Sequence, residues 1–202
     1  MAGRPMMMTH DTVDVSVVIS FADDEERVGR LSRRIADHLR ELGLRFEIIA
    51  VDEDSRDNSV ALLSLLRASA PELQIVIASR SDQGFATGAR VARGRALWLL
   101  DATRADGPFA PFAGALRRVL SDEADVVDVD GRFLVCRRTR VWTLLENARG
   151  RGDVFARRLL RRARLRRLKV EAGSKPAGGK RLTRLIDTLS SARFAPFRRS
   201  RA

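Results

Sequence analysis

Acidic residues stand at the ends of several short apolar runs in this sequence. Asp23–Glu26 follows the first run, Asp52–Asp54 follows the second, and Asp82 and Asp101 follow two later ones. Helix caps would explain one acid in each place, but not three in a row after Val51. Carboxylates gathered at one edge repel one another unless a cation or hydrogen-bond donors lie between them. The pattern therefore predicts a site for a divalent cation with bound phosphates, or for a nucleotide whose base and ribose offer donors.

The apolar runs have the length and the β-branched composition of strands that are covered on both faces. Helical segments separate them: one starts at an Asp23 or Asp24 cap and stops at Gly43, and the next contains Leu62–Leu66. Such alternation predicts an α/β fold with a mostly parallel sheet, helices on both faces and right-handed connections. In such a sheet the carboxyl ends of the strands share one edge, so the acids should meet there. Strands are expected over 13–20, 46–51, 73–78, 96–100 and 124–129, and further helices over 87–93 and 109–120.

The sequence beyond Gly131 is strongly basic. Residues 131–202 contain 22 Lys and Arg against 4 Asp and Glu, whereas residues 1–130 contain 16 against 22. This charge predicts an anionic partner, which is a membrane leaflet, a phosphorylated lipid or nucleic acid. A solvated basic face is the alternative, because 35 of the 38 basic residues are Arg and genomic composition alone can produce that bias. We expect a strand at 132–136, helices at 139–147 and 153–166, an edge strand at 168–172, and a last helix carrying Leu182, Leu185, Ile186 and Leu189.

Several classes of protein are disfavoured by features that the sequence lacks. No run approaches the roughly 20 apolar residues that span a bilayer, and residues 1–10 have no apolar signal-peptide core. The single cysteine, Cys136, stands in an apolar stretch and is expected in the core. Neither a P-loop nor a glycine-rich dinucleotide fingerprint follows the first strand, which argues against kinases and dehydrogenases. We expect a cytoplasmic protein, soluble or peripheral at the inner face of the membrane.

Three blocks of sequence carry a resemblance to a known family. They are Ser16–Glu26 (SVVISFADDEE), Phe46–Ser59 (FEIIAVDEDSRDNS) and Ala92–Ala102 (ARGRALWLLDA). In order and spacing they resemble the successive blocks of family 2 glycosyltransferases, particularly the dolichyl-phosphate mannose synthase-like branch. The resemblance covers residues 13–130. It implies a GT-A-like fold, as in nucleotide-diphospho-sugar transferases, with a UDP- or GDP-sugar as donor.

The resemblance assigns the nucleoside to the first two blocks. An acid after the first strand and the acids of the turn after the second strand would contact the base and the ribose. By resemblance these nucleotide-binding roles fall to Asp24 or Glu25, to Asp52 and Glu53, and to Ser55. Asp54 occupies a position where the family usually has glycine. Asp57 also matches the family, but capping of the following helix is the simpler explanation for it.

The third block in this family normally ends in an Asp-x-Asp motif, whose carboxylates hold Mg or Mn against the donor diphosphate. The present sequence reads Asp101-Ala102-Thr103, so a hydroxyl, which is a weaker cation ligand, replaces one carboxylate. Asp106 is close enough in sequence to be a further candidate. The resemblance therefore implies a cation at Asp101, with Thr103 and Asp106 as weaker ligands and with reduced affinity. No catalytic base is assigned.

Two further departures from the family concern the acceptor side. The segment that usually separates the strand near 124–129 from the one near 132–136 is almost absent. Ala156 and Arg158 stand where relatives often carry an acidic pair, and Asp153 is better explained as a helix cap. Arginine binds phosphate bidentately and could replace the lost metal charge. The candidate arginines for such a clamp are Arg137, Arg138, Arg140 and those within 157–167.

The chain is expected to divide into four segments. These are a flexible N-terminus (1–12), a nucleotide-sugar-binding α/β domain (13–130), a shortened acceptor-side part of that domain (131–172), and a linker with a basic amphipathic helix and frayed tail (173–202). The expected function is transfer of a hexose from a nucleotide-diphosphate sugar to an acceptor by inverting displacement, with polyprenyl phosphate as the natural acceptor. Two alternatives stay open: a catalytically degenerate protein that binds a nucleotide or a partner, and a nucleic-acid-binding protein with few aromatic residues for stacking.

Overall fold

The computed structural model describes residues 13–79, 82–105, 107–146, 148–150 and 152–172. The expected N-terminal segment, the segment 173–202 and Asp106 lie outside the described residues. The strands are β1 Val15–Phe21, β2 Phe46–Asp52, β3 Leu73–Ile77, β4 Ala96–Asp101, β5 Val126–Val129, β6 Phe133–Arg137 and β7 Val170–Ala172. The helices are α1 Glu25–Glu41, α2 Ser59–Leu66, α3 Gly84–Val91, α4 Ala110–Leu120, α5 Arg138–Glu146 and α6 Gly152–Leu165. A short 3-10 helix, Ala102–Arg104, follows β4.

The strands form one sheet in the order β3-β2-β1-β4-β6-β5-β7. β1 pairs in parallel with β2 and β4, and β2 pairs in parallel with β3. β6 is antiparallel to both β4 and β5, while β7 is parallel to β5. The predicted α/β fold with a mostly parallel sheet is therefore confirmed. The chain moves outward from β1 to β3 and then returns to the other side of β1, which puts a topological switch point between β1 and β4.

Helices cover both faces of the sheet and create two apolar cores. Successive strand residues point to opposite faces, so that Val17 packs on the side of α1, α2 and α4, and Val18 packs on the side of α3, α5 and α6. In the first core Trp98 stacks on Phe112, with ring centroids 3.9 Å apart. In the second core lies Cys136, where burial raises the pKa of its thiol. The prediction of a buried, unreactive cysteine agrees with this position.

A tight turn over Val129–Arg132 joins β5 to β6. The Arg132 amide donates to the Val129 carbonyl at 2.9 Å, and Asp130 and Gly131 between them have φ angles of +53° and +66°. Two left-handed central residues fit a type I′ hairpin turn, for which Asp-Gly is a favoured sequence. The chain thus reverses within four residues at the point where the family resemblance leads one to expect a longer segment.

A buried polar cluster holds the opposite edge of the sheet together. Glu47 of β2 is 2% exposed, and its carboxylate accepts hydrogen bonds from the Ser16 hydroxyl at 2.6 Å and the Arg93 amide at 2.7 Å. The Gly94 amide donates to the Ser16 hydroxyl oxygen at 2.7 Å, and a Cβ on Gly94 would lie 2.4 Å from the Ser16 amide nitrogen. The cluster fixes the connection from α3 to β4, and β4 then carries Asp101 to the other edge.

Helix α3 begins earlier than the helix predicted from residue 87. The buried Glu53 carboxylate accepts a hydrogen bond from the Gly84 amide at 2.7 Å, which satisfies the first turn of this helix and allows it to start at Gly84.

In the described ranges no helix has the length and apolar character needed to cross a membrane.

Candidate functional site

The carboxyl ends of β1, β2 and β4 meet at one edge of the sheet. Asp52, the last residue of β2, is level with Phe21 of β1, and Asp101, the last residue of β4, is level with Ser20. Two strand spacings separate the backbones of these acids, a distance of about 10 Å. The two acids therefore flank the end of β1 at the switch point of the sheet, and we call this region the strand-end site.

Side chains of the loop after β2 hold the loop after β1 in place. The Ser55 hydroxyl accepts a hydrogen bond from the Asp23 amide at 3.1 Å, and the Asp23 carboxylate accepts one from the Arg56 amide at 2.6 Å. Asp24 is partly buried beside this link and forms an ion pair with Arg27 at 3.7 Å. Ser55, a predicted nucleotide contact, thus has a role in joining the two loops.

Asp57 connects the first turns of α1 and α2. Its carboxylate accepts hydrogen bonds from the Ser59 amide and the Glu25 amide, each at 3.0 Å, and these are the first residues of the two helices. The Ser59 hydroxyl in turn accepts from the Asp24 amide at 3.2 Å. The hydrogen bonds from Ser59 lower the pKa of Asp57 below its ordinary value, so this carboxylate is ionised at neutral pH. Asp57 therefore caps α2, as the sequence suggested, and also holds the partly buried Glu25.

The turn after β2 has the geometry that a glycine normally provides. Asp54 has a φ of +73°, in the left-handed region where residues other than glycine are strained. Asp52 closes the turn by accepting a hydrogen bond from the Ser55 amide at 3.0 Å. Glu53 is 2% exposed and accepts from the Gly84 amide. Asp54 therefore preserves the turn, and the Glu53 carboxylate contacts α3.

Asp101 shares its carboxylate with Thr103. The Oδ1 atom of Asp101 accepts from the Thr103 amide at 2.9 Å and from the Thr103 hydroxyl at 2.5 Å. The other oxygen, Oδ2, lies on the side of α6, where a Cβ on Gly152 would be 3.2 Å away. A hydroxyl that donates to Asp101 therefore stands at the position of the second carboxylate of the family motif.

Asp101 belongs to the wall of a small open depression between β4, β6, α3 and α6. Its walls are mostly apolar, and Phe85 and Phe155 stack there with ring centroids 4.4 Å apart. Ala156, at the position where relatives often have an acid, also lines it. Asp101 is the one carboxylate among its described lining residues. The remaining lining residues are Leu99, Arg104, Gly131, Arg132, Phe133, Leu134 and Gly152.

The side chains that the structure describes do not form a metal centre at this edge. No group of three or more His, Cys, Asp or Glu side chains within the described ranges is placed to hold a metal ion. Asp101 supplies one carboxylate, whose Oδ1 already accepts two hydrogen bonds from Thr103. Mg and Mn take several oxygen ligands, and their affinity depends on how many of those ligands are charged. The described side chains therefore offer a divalent cation one carboxylate, shared with Thr103, which is a poor ligand set without the phosphates of a substrate.

Arg137, Arg138 and Arg140 lie at the wrong edge to clamp a diphosphate at the strand-end site. Arg137 is level with the first residue of β4, whereas Asp101 is the last, and the rise of five strand residues is about 17 Å. Arg137 and Arg140 instead form ion pairs with Asp125 at 3.7 and 3.3 Å. The prediction for this group was wrong because β6 runs antiparallel to β4 and carries them to the opposite edge.

Arg104 lies in the turn directly after Asp101. It ends the 3-10 helix after β4 and lines the same depression. A Cβ on Gly152 would lie 3.2 Å from Asp101 Oδ2 and 3.6 Å from Arg104 Cδ, so both side chains reach the start of α6. The sequence prediction did not include Arg104, although its place directly after the third sequence block could have indicated it. The arginines of 157–167 are exposed along α6 and just beyond it.

Comparisons with known proteins agree with this architecture. The sequence profile described as Glycosyl transferase family 2 matches residues 16–174, which is more than half of the chain. No curated protein matches at a significant level. Among solved structures, the mannosyltransferase PcManGT from Pyrobaculum calidifontis, in complex with GDP-Man and Mn2+, is similar with a TM-score of 0.62 and 13% identity over 91% of this chain and 65% of that chain. Glucosyl-3-phosphoglycerate synthase from Mycobacterium tuberculosis, in complex with Mn2+, UDP and phosphoglyceric acid, is similar with a TM-score of 0.59 and 16% identity over 92% of this chain and 80% of that chain.

A third similar structure is S. aureus TarS 1-349, with a TM-score of 0.55 and 13% identity over 72% of this chain and 55% of that chain. This chain thus spans less than two thirds of the length of PcManGT and of the TarS fragment. At these identities, similarity to the solved structures shows the fold alone. The profile match reaches from β1 to β7 and includes every strand end of the site. On that match the chain belongs to glycosyl transferase family 2, and its fold is of the GT-A type.

Proposed function

We propose that this protein transfers a sugar from a nucleotide-diphosphate sugar to an acceptor at the strand-end site. The observation that carries the proposal is the position of Asp52 and Asp101, which end the two strands on either side of β1. Membership of the family supports the same activity.

In this proposal Asp52, together with Asp24 or Glu25, holds the nucleoside. Carboxylates accept hydrogen bonds from the hydroxyl groups of a ribose and the N–H groups of a base. Glu53 and Ser55 support these contacts indirectly, since Glu53 holds the start of α3 and Ser55 holds the loop after β1. We therefore propose Glu53 and Ser55 as positioning residues.

The proposed reaction is a single displacement at the anomeric carbon of the sugar. An oxygen of the acceptor attacks that carbon from the side opposite the diphosphate, and a new carbon–oxygen bond forms. The bond from the anomeric carbon to the diphosphate oxygen breaks, and the nucleoside diphosphate leaves with the electron pair. Attack from the opposite side inverts the configuration.

The depression beside Asp101 supports a phosphate acceptor with an apolar tail, such as polyprenyl phosphate. A phosphate monoester has a second pKa of about 6, so its oxygens are already ionised at neutral pH and need no general base. That chemistry suits walls in which Ala156 replaces an acid and Asp101 is the one described carboxylate.

The outer face of α6 supports binding to an anionic membrane that carries such an acceptor. The inner face of this helix buries Phe155, Leu159 and Ala163. Leu165 is 74% exposed among the arginines, and apolar residues within a basic helix face are typical of helices at membrane surfaces. Each arginine near an anionic leaflet contributes about 1 kcal/mol. The exposed arginines of α6 and the two residues after it are Arg157, Arg158, Arg161, Arg162, Arg164, Arg166 and Arg167.

The test is transfer of radiolabelled sugar from UDP-glucose and GDP-mannose to polyprenyl phosphate in anionic vesicles. We expect labelled lipid from one donor with the wild-type protein, and loss of label with Asp52→Asn. Asn keeps the oxygen that accepts from the Ser55 amide but removes the charge. No labelled lipid from either donor, under conditions where the protein is folded, would contradict the proposed acceptor.

Binding of a nucleotide without transfer is the second candidate function. The observation that favours it is the shortage of carboxylates in the depression, where Asp101 is the one found among the described lining residues. Binding of UDP or GDP without transfer to lipid, sugar or water would support it. Nucleic-acid binding stays a third prediction, based on the charge of the basic half. A flat salt response of DNA binding would remove it, because phosphate contacts release counterions.

A further inference from the structure

The carboxylate of Asp101 is satisfied by the chain itself. Thr103 donates to Oδ1 through both its amide and its hydroxyl, at 2.9 and 2.5 Å. A carboxylate at position 103 has no proton to donate, so an Asp-x-Asp pair would need a cation or another donor between its two acids. The Thr103 hydroxyl therefore fills the role at Oδ1 that a cation has between two acids.

The charge at this site is unfavourable for a divalent cation. Asp101 and Thr103 together carry one negative charge, whereas two carboxylates would carry two, and the affinity of oxygen sites for hard cations falls as the number of charged ligands decreases. Arg104, which is permanently charged, lines the same depression as Asp101. A guanidinium at this rim repels a second cation and attracts an anion.

Arg104 also has the chemistry to replace a cation at a diphosphate. Its planar guanidinium can donate two parallel hydrogen bonds to phosphate oxygens, and charge-assisted bonds of this kind are roughly twice as strong as neutral ones. The 3-10 helix holds it next to Asp101, and both side chains border Gly152 at the start of α6. Arg104 is thus the cationic residue of this turn, and it lines the depression that Asp101 borders.

We propose that this protein binds the diphosphate of its nucleotide without a divalent cation, and that Arg104 supplies the positive charge. This inference rests on the proposed function, because it concerns the same nucleotide and the same edge of the sheet. Thr103 is the residue that determines cation independence, and Arg104 is the residue that contacts the diphosphate.

Calorimetric titration of UDP and GDP in two buffers, one with EDTA and one with MnCl2, tests the inference on five proteins, of which Thr103→Ser is described last. The other four are the wild type, Thr103→Asp, Arg104→Gln and the control Arg67→Gln, which changes an exposed arginine after α2. For the wild type and the control we expect dissociation constants that agree within about threefold between the buffers. Thr103→Asp should bind at least about tenfold more weakly in EDTA than in Mn, since its second carboxylate restores the need for a cation.

Arg104→Gln should weaken binding by about tenfold in both buffers, as expected for one charge-assisted contact. Thr103→Ser retains the hydroxyl and should match the wild type, which separates loss of the hydrogen bond from disturbance of the turn. Wild-type binding that needs Mn, or Arg104→Gln binding as the wild type does, would overturn the inference and leave the proposed function intact. Failure of both nucleotides to bind the wild type in either buffer would contradict the proposed function, and the inference with it.

Discussion

Glu47 offers a test of how the fold positions the strand-end site, because its carboxylate accepts four hydrogen bonds at the far edge of the sheet. Glu47→Ala removes this acceptor. The Arg93 guanidinium, on a side chain that is 67% exposed, can turn to water, and so can the partly buried Gln74. The Ser16 hydroxyl, on a fully buried residue, and the Arg93 amide, in a part-buried hydrogen bond, lose their acceptor.

The expected cost of Glu47→Ala follows from those two donors. An unsatisfied buried donor costs about 1–3 kcal/mol, so the pair gives about 4 kcal/mol. That is a large part of the roughly 5–15 kcal/mol that stabilises a typical domain. At about 2–4 °C for each kcal/mol in a protein of this size, the Tm should fall by about 8–16 °C. Glu47→Gln keeps one acceptor oxygen and should lose about 2 kcal/mol.

Urea unfolding followed by tryptophan fluorescence measures these changes, because Trp98 is fully buried. The matched control is Glu72→Ala, which removes a surface ion pair with Arg40 and should cost less than about 1 kcal/mol. If Glu47→Ala changed the free energy of unfolding by no more than this control, the buried cluster would not be what holds the connection to β4.

Three further predictions concern strain and pH. Asp54→Gly should raise the free energy of unfolding by about 0.5 kcal/mol, because glycine relieves the left-handed strain at φ +73°, and a loss of stability in the urea assay would contradict this. Burial lowers the pKa of His38 more than nearby Glu41 raises it. The fold therefore favours the neutral ring, so stability should be full above about pH 6.5 and fall below it, and His38→Gln should flatten that slope in urea unfolding at stepped pH. The pKa of Asp57 is lowered chiefly by its hydrogen bonds from Ser59, so its contribution is present above the ordinary value of about 3.9 and is lost as the pH falls through the lower folded value. Asp57→Asn should remove this part of the acid transition, and a variant with the wild-type transition would refute the assignment.

The sheet could be predicted because its central strands are apolar runs of five to seven residues separated by helical segments. The direction of β6 could not be predicted in the same way. A five-residue apolar run such as Phe133–Arg137 has the same pattern in either direction, and only the turn at Asp130-Gly131 reverses the chain. The reversal puts Arg137 level with the first residue of β4, at the edge opposite Asp101.

The acids of the site show a second limit of prediction from the sequence. An acid after a strand has the same sequence signal whether it binds a ligand or a backbone amide. The Glu53 carboxylate accepts from the start of α3, and Asp57 joins two helices, because loops distant in sequence approach each other. Asp52 and Asp101 were predicted from their places after apolar runs and from the family resemblance, and the structure puts them at the ends of strands on either side of β1. Glu47 went unnoticed because an acid inside a strand has no partner that the sequence can indicate.

The central claim is that the strand-end site binds a nucleotide through Asp52, and calorimetric titration of UDP and GDP tests it most directly. The account predicts that one of the two nucleotides binds the wild-type protein and binds Asp52→Asn at least about tenfold more weakly. The control Asp37→Asn, at a side chain 69% exposed on α1, should bind as the wild type does. No binding of either nucleotide, or equal binding by wild type and Asp52→Asn, would contradict the account.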